Sequence, residues 1–229
     1  MDRYQQGEYL KRNPDWHAGD SPWKAGHILE LLRKNRLTPA SVCEVGCGAG
    51  GILAQLSRIL PPGTRFIGYD ISPDAIAKCQ QYAGDNLCFV QGDFFELNDQ
   101  HYDVLMFIDV VEHVEDYMGF IRQAGRSGHY KIFHFPLELT VNKAARKGAF
   151  NKSRDRLGHL HYFSRETALA TLEECDHEII DYFYTNSLDV PGQPFMTRLL
   201  KPIIKLNFWI NPDFTARFWG GYSLIVLTR

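Results

Sequence analysis

The segment Glu44-Val45-Gly46-Cys47-Gly48-Ala49-Gly50-Gly51 sets a carboxylate directly ahead of a glycine cluster. Glycine lets a chain turn sharply and approach a ligand with no Cβ in the way. Apolar residues then recur with helical spacing (Ile52, Leu53, Leu56, Ile59, Leu60). The glycines therefore open a helix, whose first N–H groups and positive dipole end are free for a ligand. Two further carboxylates follow in order. Asp70, 24 residues after Gly46, can accept hydrogen bonds from both hydroxyls of a ribose. Asp93 can accept from the amino group of an adenine, with Phe94 beside it as an apolar face. Each acid alone has a structural use, Asp70 as a turn cap and Asp93 as a helix N-cap. Three acceptors at three successive strand ends instead fit the ligand-binding rule for open α/β sheets.

A second constellation lies downstream, in Asp109-Val110-Val111-Glu112-His113-Val114 and His159-Leu160-His161-Tyr162-Phe163-Ser164. Three readings of it stand. His161 or His113 can act as a general base on a hydroxyl or amine, because imidazole titrates near neutrality. Asp109, Glu112, His113 and His161 offer the oxygen and imidazole mixture that holds a divalent ion. Alternatively, Glu112 and His113 orient a loop and His161 packs against Phe163. The base at His161 or His113 is the catalytic assignment, and no metal site is assigned.

Both constellations need a scaffold. Short apolar runs at residues 41–45, 65–69, 87–90, 102–108, 129–135, 178–184 and 222–227 read as strands. The run at 102–108 is apolar almost throughout, as in a strand covered on both faces. Helical patterns at 25–36 and 50–60, a helix opened by Ser72-Pro73 and another capped by Ser164 lie between them. Strands alternating with helices predict βαβ units and a parallel sheet. Pro14 and Pro22 argue against a long unbroken helix among the first two dozen residues. The pattern fails at 137–158, where Lys143, Arg146, Lys147, Lys152, Arg154 and Arg156 predict a solvated basic loop or a site for an anionic substrate.

With 229 residues, the chain has the size of one domain, read as residues 1–229. Within it, residues 1–40 form a lid or outer cover containing Trp16, His17, Trp23 and Lys24. Residues 41–136 form the ligand-binding core, and 137–158 and 185–220 are substrate-side insertions. The formal charge of −2 gives no global field for nucleic acid. Five cysteines without a CxxC pair, a polar N-terminus and no long apolar run point to a reduced, cytoplasmic setting. In residues 195–219, Met196, Leu199, Leu200, Ile203, Ile204, Leu206 and Phe208 interleave with Arg198, Lys201 and Lys205. This element is read as a cap over the substrate pocket, as an amphipathic contact with a membrane surface, or as a dimer contact; Pro202 interrupts it. Monomer and homodimer both remain open.

Glu44-x-Gly46-x-Gly48-x-Gly50, Asp70 and Asp93-Phe94 together resemble the class I S-adenosylmethionine-dependent methyltransferases. Glu112-His113-Val114 resembles the strand-four motif of their small-molecule subgroup. The resemblance implies a Rossmann-like three-layer sandwich with seven strands in the order 3-2-1-4-5-7-6, strand seven antiparallel. It implies S-adenosyl-L-methionine as cofactor and S-adenosyl-L-homocysteine as product, held by Glu44, Gly46, Gly48, Asp70, Ile71, Asp93, Phe94 and Asp109. It further implies methylation of oxygen or nitrogen on a small molecule or glycan, with no nucleic acid as partner. The glycines also satisfy GxGxxG, so an NAD(P)-dependent oxidoreductase is one alternative reading. A cofactor-binding protein without turnover is another.

Overall fold

The computed structural model describes residues 18–190 and 195–229, with side chains at 19–190 and 199–229. Tyr4, Tyr9, Pro14, Trp16 and His17 lie outside the described residues, as do the side chains of Met196 and Arg198. A single 3-10 turn leads into α1 (Ser21–Lys34), followed by β1 (Ser41–Val45), α2 (Gly51–Ile59), β2 (Arg65–Asp70), α3 (Pro73–Cys79) and β3 (Leu87–Gln91). Next come α4 (Phe94–Leu97), β4 (Tyr102–Ile108), a 3-10 turn (Val111–His113), α5 (Tyr117–Ala124) and β5 (Gly128–Pro136). The chain continues through α6 (Val141–Ala144), α7 (Ala149–Leu157), α8 (Arg165–Glu174), β6 (Ile179–Asn186), α9 (Phe195–Ile210), α10 (Pro212–Trp219) and β7 (Tyr222–Thr228).

The seven strands form one sheet in the order β3-β2-β1-β4-β5-β7-β6. Neighbours from β3 to β5 are parallel, and β7 is antiparallel to both β5 and β6. Because side chains alternate across a strand, the sheet has two apolar faces. Cys43, Leu105, Phe107, Phe133 and Phe135 meet Phe94, Ile121, Ala168 and Leu172 from α4, α5 and α8. Val42, Val104, Met106, Ile132 and Leu227 meet Ile28, Leu32, Leu53, Leu56 and Ile76 from α1, α2 and α3. The result is the expected three-layer sandwich. All five parallel strands end at the same edge, so the loops after β1, β2, β3, β4 and β5 converge there.

Three local expectations change. Pro22 does not interrupt a helix but starts one, since it lies in the first turn of α1, where its missing N–H has no partner to lose. The basic stretch 137–158 is not a plain loop. It folds as α6 and α7, with the Thr140 hydroxyl accepting from Lys143 N. Left-handed glycines bracket α7 (Gly148 φ 72°, Gly158 φ 85°). The Lys143 ammonium is buried, bonded to Glu138 (2.6 Å) and Ser153 (2.5 Å), and lies over the rings of Phe150 and Tyr162. Finally, α9 continues through Pro202, which sits on its exposed side. There the lost hydrogen bond leaves a carbonyl that water can reach.

Phe133 is fully buried and stacks on Phe107 (centroids 5.1 Å) and Phe135 (6.0 Å). We expect Phe133→Ala to cost about 3–5 kcal/mol of stability, read from the midpoint of urea denaturation. A loss below about 1 kcal/mol would mean that this stack is not a packed core.

Candidate functional site

The convergent loops surround a cleft of about 1360 Å³. That is larger than one small-molecule pocket and leaves room for two ligands side by side. At its floor the glycine loop folds back on β2, with Gly46 N and Cys47 N both donating to Tyr69 O (2.8 and 3.0 Å). Gly46 has φ 74°, and a Cβ there would lie 2.5 Å from Val110 Cγ2. Gly48 has φ 54°. Neither position accepts an ordinary side chain without strain. Gly50 begins α2 with no side-chain cap, so the first N–H groups of the helix remain open to the cleft at Gly51 and Ile52.

Asp70 closes this loop. Its Oδ2 accepts from Gly48 N and its Oδ1 from Ser72 N, both at 2.8 Å. Burial pushes its pKa up to about 6, against the pull of these two N–H groups. Each carboxylate oxygen can accept a second bond, so the turn-cap and ligand roles are compatible here. Ile71 lines the cleft next to it. Asp93 N-caps α4, accepting from Phe95 N at 2.8 Å, and also lines the cleft. Phe94 borders the cleft but is 2 % exposed, its ring edge-on to Tyr69 (5.2 Å) and Phe95 (5.1 Å). Its main contribution is therefore to the core.

Four carboxylates crowd the centre. Glu44 is 1 % exposed, and burial, followed by the charges of Asp70 and Asp109, raises its pKa to about 8 despite Lys24. Its Oε2 has no hydrogen-bond partner. Asp109 sits in the left-handed region (φ 55°), which is costly for a non-glycine residue. An ammonium and an imidazole hold it there. Lys24 Nζ lies 2.7 Å from its Oδ2, and His134 Nδ1 lies 2.5 Å from its Oδ1. Burial alone would raise the Asp109 pKa, but Lys24 and His134 hold it far below the usual carboxylate range. His134 Nε2 in turn meets Thr185 Oγ1 at 2.8 Å. Trp23 packs edge-on to His134, and α1 supplies three cleft residues, Ser21, Trp23 and Lys24.

Glu112 is 1 % exposed, and neither of its carboxylate oxygens has a hydrogen-bond partner. Burial drives its pKa well up, and Asp109 adds to the shift. Its backbone carbonyl accepts from Leu160 N (2.7 Å) and His161 N (3.2 Å), which pins the His-x-His segment under the strand-four turn. His113 sits beside the Glu112 carboxylate, its Nε2 3.9 Å from Glu112 Oε1. Its Nδ1 contacts Gly158 O (3.2 Å), and burial, then His159, lowers its pKa to about 4.

The two histidines of His-x-His part company. His161 is not among the residues lining the cleft. Its ring lies on Tyr117 (centroids 4.5 Å), and its Nε2 contacts Glu115 O. His159 lines the cleft instead, with its Nδ1 2.7 Å from Glu138 Oε2 and its ring edge-on to His113 (4.9 Å). The His159 and Lys143 contacts hold the Glu138 pKa down at about 2 against the effect of burial. Glu112, His113 and His159 each present one ligand atom, all within 4.8 Å of one another. Asp109 and His161, the other residues of the divalent-ion reading, are held elsewhere. Lys24, His134, Glu138 and His159 were not assigned from sequence. Two of them carried a signal, Lys24 as a member of the N-terminal lid segment and His159 as the neighbour of the histidine that was assigned.

The buried Glu44 carboxyl predicts a pH dependence. Its pKa in the folded chain exceeds that of an unfolded glutamate, so the ligand-free protein loses stability as pH rises from about 4.5 to about 8. Glu44→Gln is expected to remove a few kcal/mol of that slope, and to be the more stable protein at pH 8 by thermal unfolding. Identical pH profiles for the two proteins would refute this assignment.

The sequence from residue 16 to 181 matches the family model described as a methyltransferase domain. Over 105 residues the chain is 34 % identical to a ubiquinone biosynthesis O-methyltransferase of Azorhizobium caulinodans, covering 44 % of this chain and 40 % of that protein. It is 31 % identical over 112 residues to the enzyme of the same name in Aliivibrio fischeri, covering 46 % of each. The chain thus spans less than half the length of these relatives. Among solved structures, the magnesium protoporphyrin IX methyltransferase of Synechocystis with bound S-adenosylhomocysteine superposes with a TM-score of 0.61 at 19 % identity, over 94 % of this chain and 84 % of that one. The N-methyltransferase NodS of Bradyrhizobium japonicum, also with S-adenosylhomocysteine, gives 0.61 at 16 % identity over 96 % and 97 %. The match to the family model covers well over half of the chain, and the chain belongs to the methyltransferase domain family.

Proposed function

We propose that this chain transfers a methyl group from S-adenosylmethionine to a hydroxyl of a small organic acceptor, with His159 as general base. One observation carries the cofactor reading. Among the described residues the cleft is lined by ten Asp and Glu residues, by three histidines and by one Lys or Arg, Lys24. Such a field suits a ligand with a sulfonium and an ammonium group and repels the pyrophosphate of a dinucleotide. It thereby disfavours the NAD(P) reading that the glycines alone admit. The partnerless Glu44 Oε2 is a ready acceptor for the ammonium, and the open N–H groups at the start of α2 and Lys24 are donors for a carboxylate. Asp70 and Asp93 take the ribose and adenine edges.

When bound, the cofactor supplies an activated methyl on a good leaving group, so the protein's task is alignment and removal of one proton. Glu138 accepts from His159 Nδ1–H, which fixes the tautomer and leaves Nε2 with its lone pair. That nitrogen takes the acceptor's proton as the methyl transfers. An oxygen acceptor is favoured because such a base is needed for a hydroxyl, and because the relatives that match are named O-methyltransferases. A second reading rests on Glu112, whose buried carboxylate accepts no hydrogen bond and lies 3.9 Å from His113 Nε2. A divalent ion held by Glu112, His113 and His159 would satisfy it and would lower the pKa of a coordinated hydroxyl.

Calorimetric titration with S-adenosylmethionine, S-adenosylhomocysteine and NADH tests the cofactor. Binding of the adenosyl ligands alone is expected, and preference for NADH overturns the proposal. Gly48→Val should abolish that binding, and Asp70→Ala should weaken it by about 1–3 kcal/mol. In a methyl-transfer assay on phenolic and catechol acceptors, His159→Ala should lower kcat by about 10²-fold or more with cofactor affinity retained. His161→Ala should stay within a few-fold of the parent, and equal losses in both variants would return the role to His161. Activity that survives His159→Ala unaltered removes the base. Activity lost to EDTA and restored by a divalent ion selects the second reading.

A further inference from the structure

The helix α9 is apolar on two opposite faces, and among the described residues only one of them is covered. Ile204 is buried, and Phe208 stacks on Tyr222 of β7 at 4.3 Å. On the other side Leu199, Ile203, Leu206 and Ile210 recur at steps of four, three and four, which places them in one stripe. All four are more than half exposed, and Trp209 at the edge of the stripe is 82 % exposed. The stacked rings of Phe214 and Phe218 on α10 add to the same exposed apolar inventory. A row of large apolar side chains in water is a surface that binds something.

Charge selects the occupant. Residues 137–158 and 185–220 together hold ten Lys and Arg against four Asp and Glu, whereas the whole chain has 25 against 27. The two segments adjoin, with Asn142 Nδ2 donating to Trp219 O at the end of α10. Arg146, Lys147 and Lys152 are exposed, while Lys201 and Lys205 share the one carboxylate of Asp189. An apolar stripe with Trp at its edge and basic residues around it is the chemistry of an interfacial helix on an anionic bilayer. A second copy on a two-fold axis would instead bring two basic surfaces together.

We propose that α9 and α10 dock this protein on an anionic phospholipid surface, through the stripe Leu199–Ile203–Leu206–Ile210 and Trp209, with the basic insertion 137–158 facing the headgroups. No helix among the described residues is long and apolar enough to cross a membrane, so the contact is peripheral. The same two insertions contribute Glu138, Leu157, Ser187 and Val190 to the cleft lining. Docking therefore brings part of the cleft wall close to the lipid, where an acceptor dissolved in the bilayer can enter.

The test is co-sedimentation of the full chain with vesicles of phosphatidylcholine, alone and mixed with phosphatidylglycerol, without cofactor. Binding to the mixed vesicles that weakens with salt is expected. Ile203→Glu with Ile210→Glu should reduce it on the order of tenfold or more, with S-adenosylhomocysteine affinity and thermal unfolding retained. Arg146→Glu with Lys147→Glu should weaken binding to the anionic vesicles alone. If the double glutamate variant unfolds, the difference in emission between the parent and Trp209→Phe decides, and a blue shift on adding vesicles is expected. Absence of both sedimentation and shift overturns the proposal. So does a dimer, seen by sedimentation velocity, that Ile203→Glu dissolves while no vesicle is bound. The outcome is separable from methyl transfer, because neither readout uses the cofactor.

Discussion

The ion pair between Lys24 and Asp109 is the contact on which the site depends. The fold aims the ends of its parallel strands at one edge, and this sequence places carboxylates at those ends. Glu44 is the penultimate residue of β1, Asp70 ends β2, Asp109 follows β4, and Glu112 lies one turn further on. Left alone, buried acids repel one another and take up protons. The ammonium on α1 is the one Lys or Arg charge in the cleft lining among the described residues, and it divides the acids into two kinds. Asp109, in direct contact, is held ionised; Glu44 and Glu112, out of contact, are pushed toward the neutral form. The cleft thus holds acids of similar chemistry in different protonation states, set by one lysine that precedes the sheet in sequence.

Holding Asp109 also fixes the backbone around it. Its left-handed φ re-aims the chain at the end of β4, so that the turn Val111–His113 drops into the cleft instead of continuing the strand. His134 on β5 and Thr185 on β6 complete a chain of contacts from Lys24 across to the far side of the sheet. The strain at one residue, of order 1–3 kcal/mol, is offset by an ion pair and a charge-assisted hydrogen bond in a site largely screened from water.

How much of this was legible depended on whether the signal was local. Strand β4 and its neighbours declare themselves as apolar runs, and the glycine loop fixes the place of α2, so the fold follows from patterns a few residues long. Asp70 and Glu44 were legible for the same reason, since their roles come from being next to a strand end. Lys24 was legible only as a member of the N-terminal lid segment; its pairing with Asp109 was not, because the two residues are 85 apart in the chain. Glu138 and Lys143 were hidden by a misleading composition. A run of lysines and arginines reads as solvated surface, yet one of them is buried under Phe150 and Tyr162 and holds the acid that orients His159. The choice between His159 and His161 turned on a detail with no sequence signature. The backbone carbonyl of Glu112 accepts from both Leu160 N and His161 N, and this pairing directs the earlier histidine inward and the later one to Tyr117.

The same contrast divides the cleft. One wall is built from strand ends and a helix start, which the sheet positions rigidly. The opposite wall draws residues from 137–158 and 185–220, which leave the sheet and return to it. Their helices are short or proline-containing, and α7 buries no residue of its own. What anchors 137–158 is polar: Glu138, Lys143, Ser153 and His159 bind one another beneath the cleft. A network of that kind is directional, so it sets His159 in one orientation where apolar packing alone would allow several. The constraint that fixes His159 is therefore electrostatic, as it is for Asp109 on the opposite side.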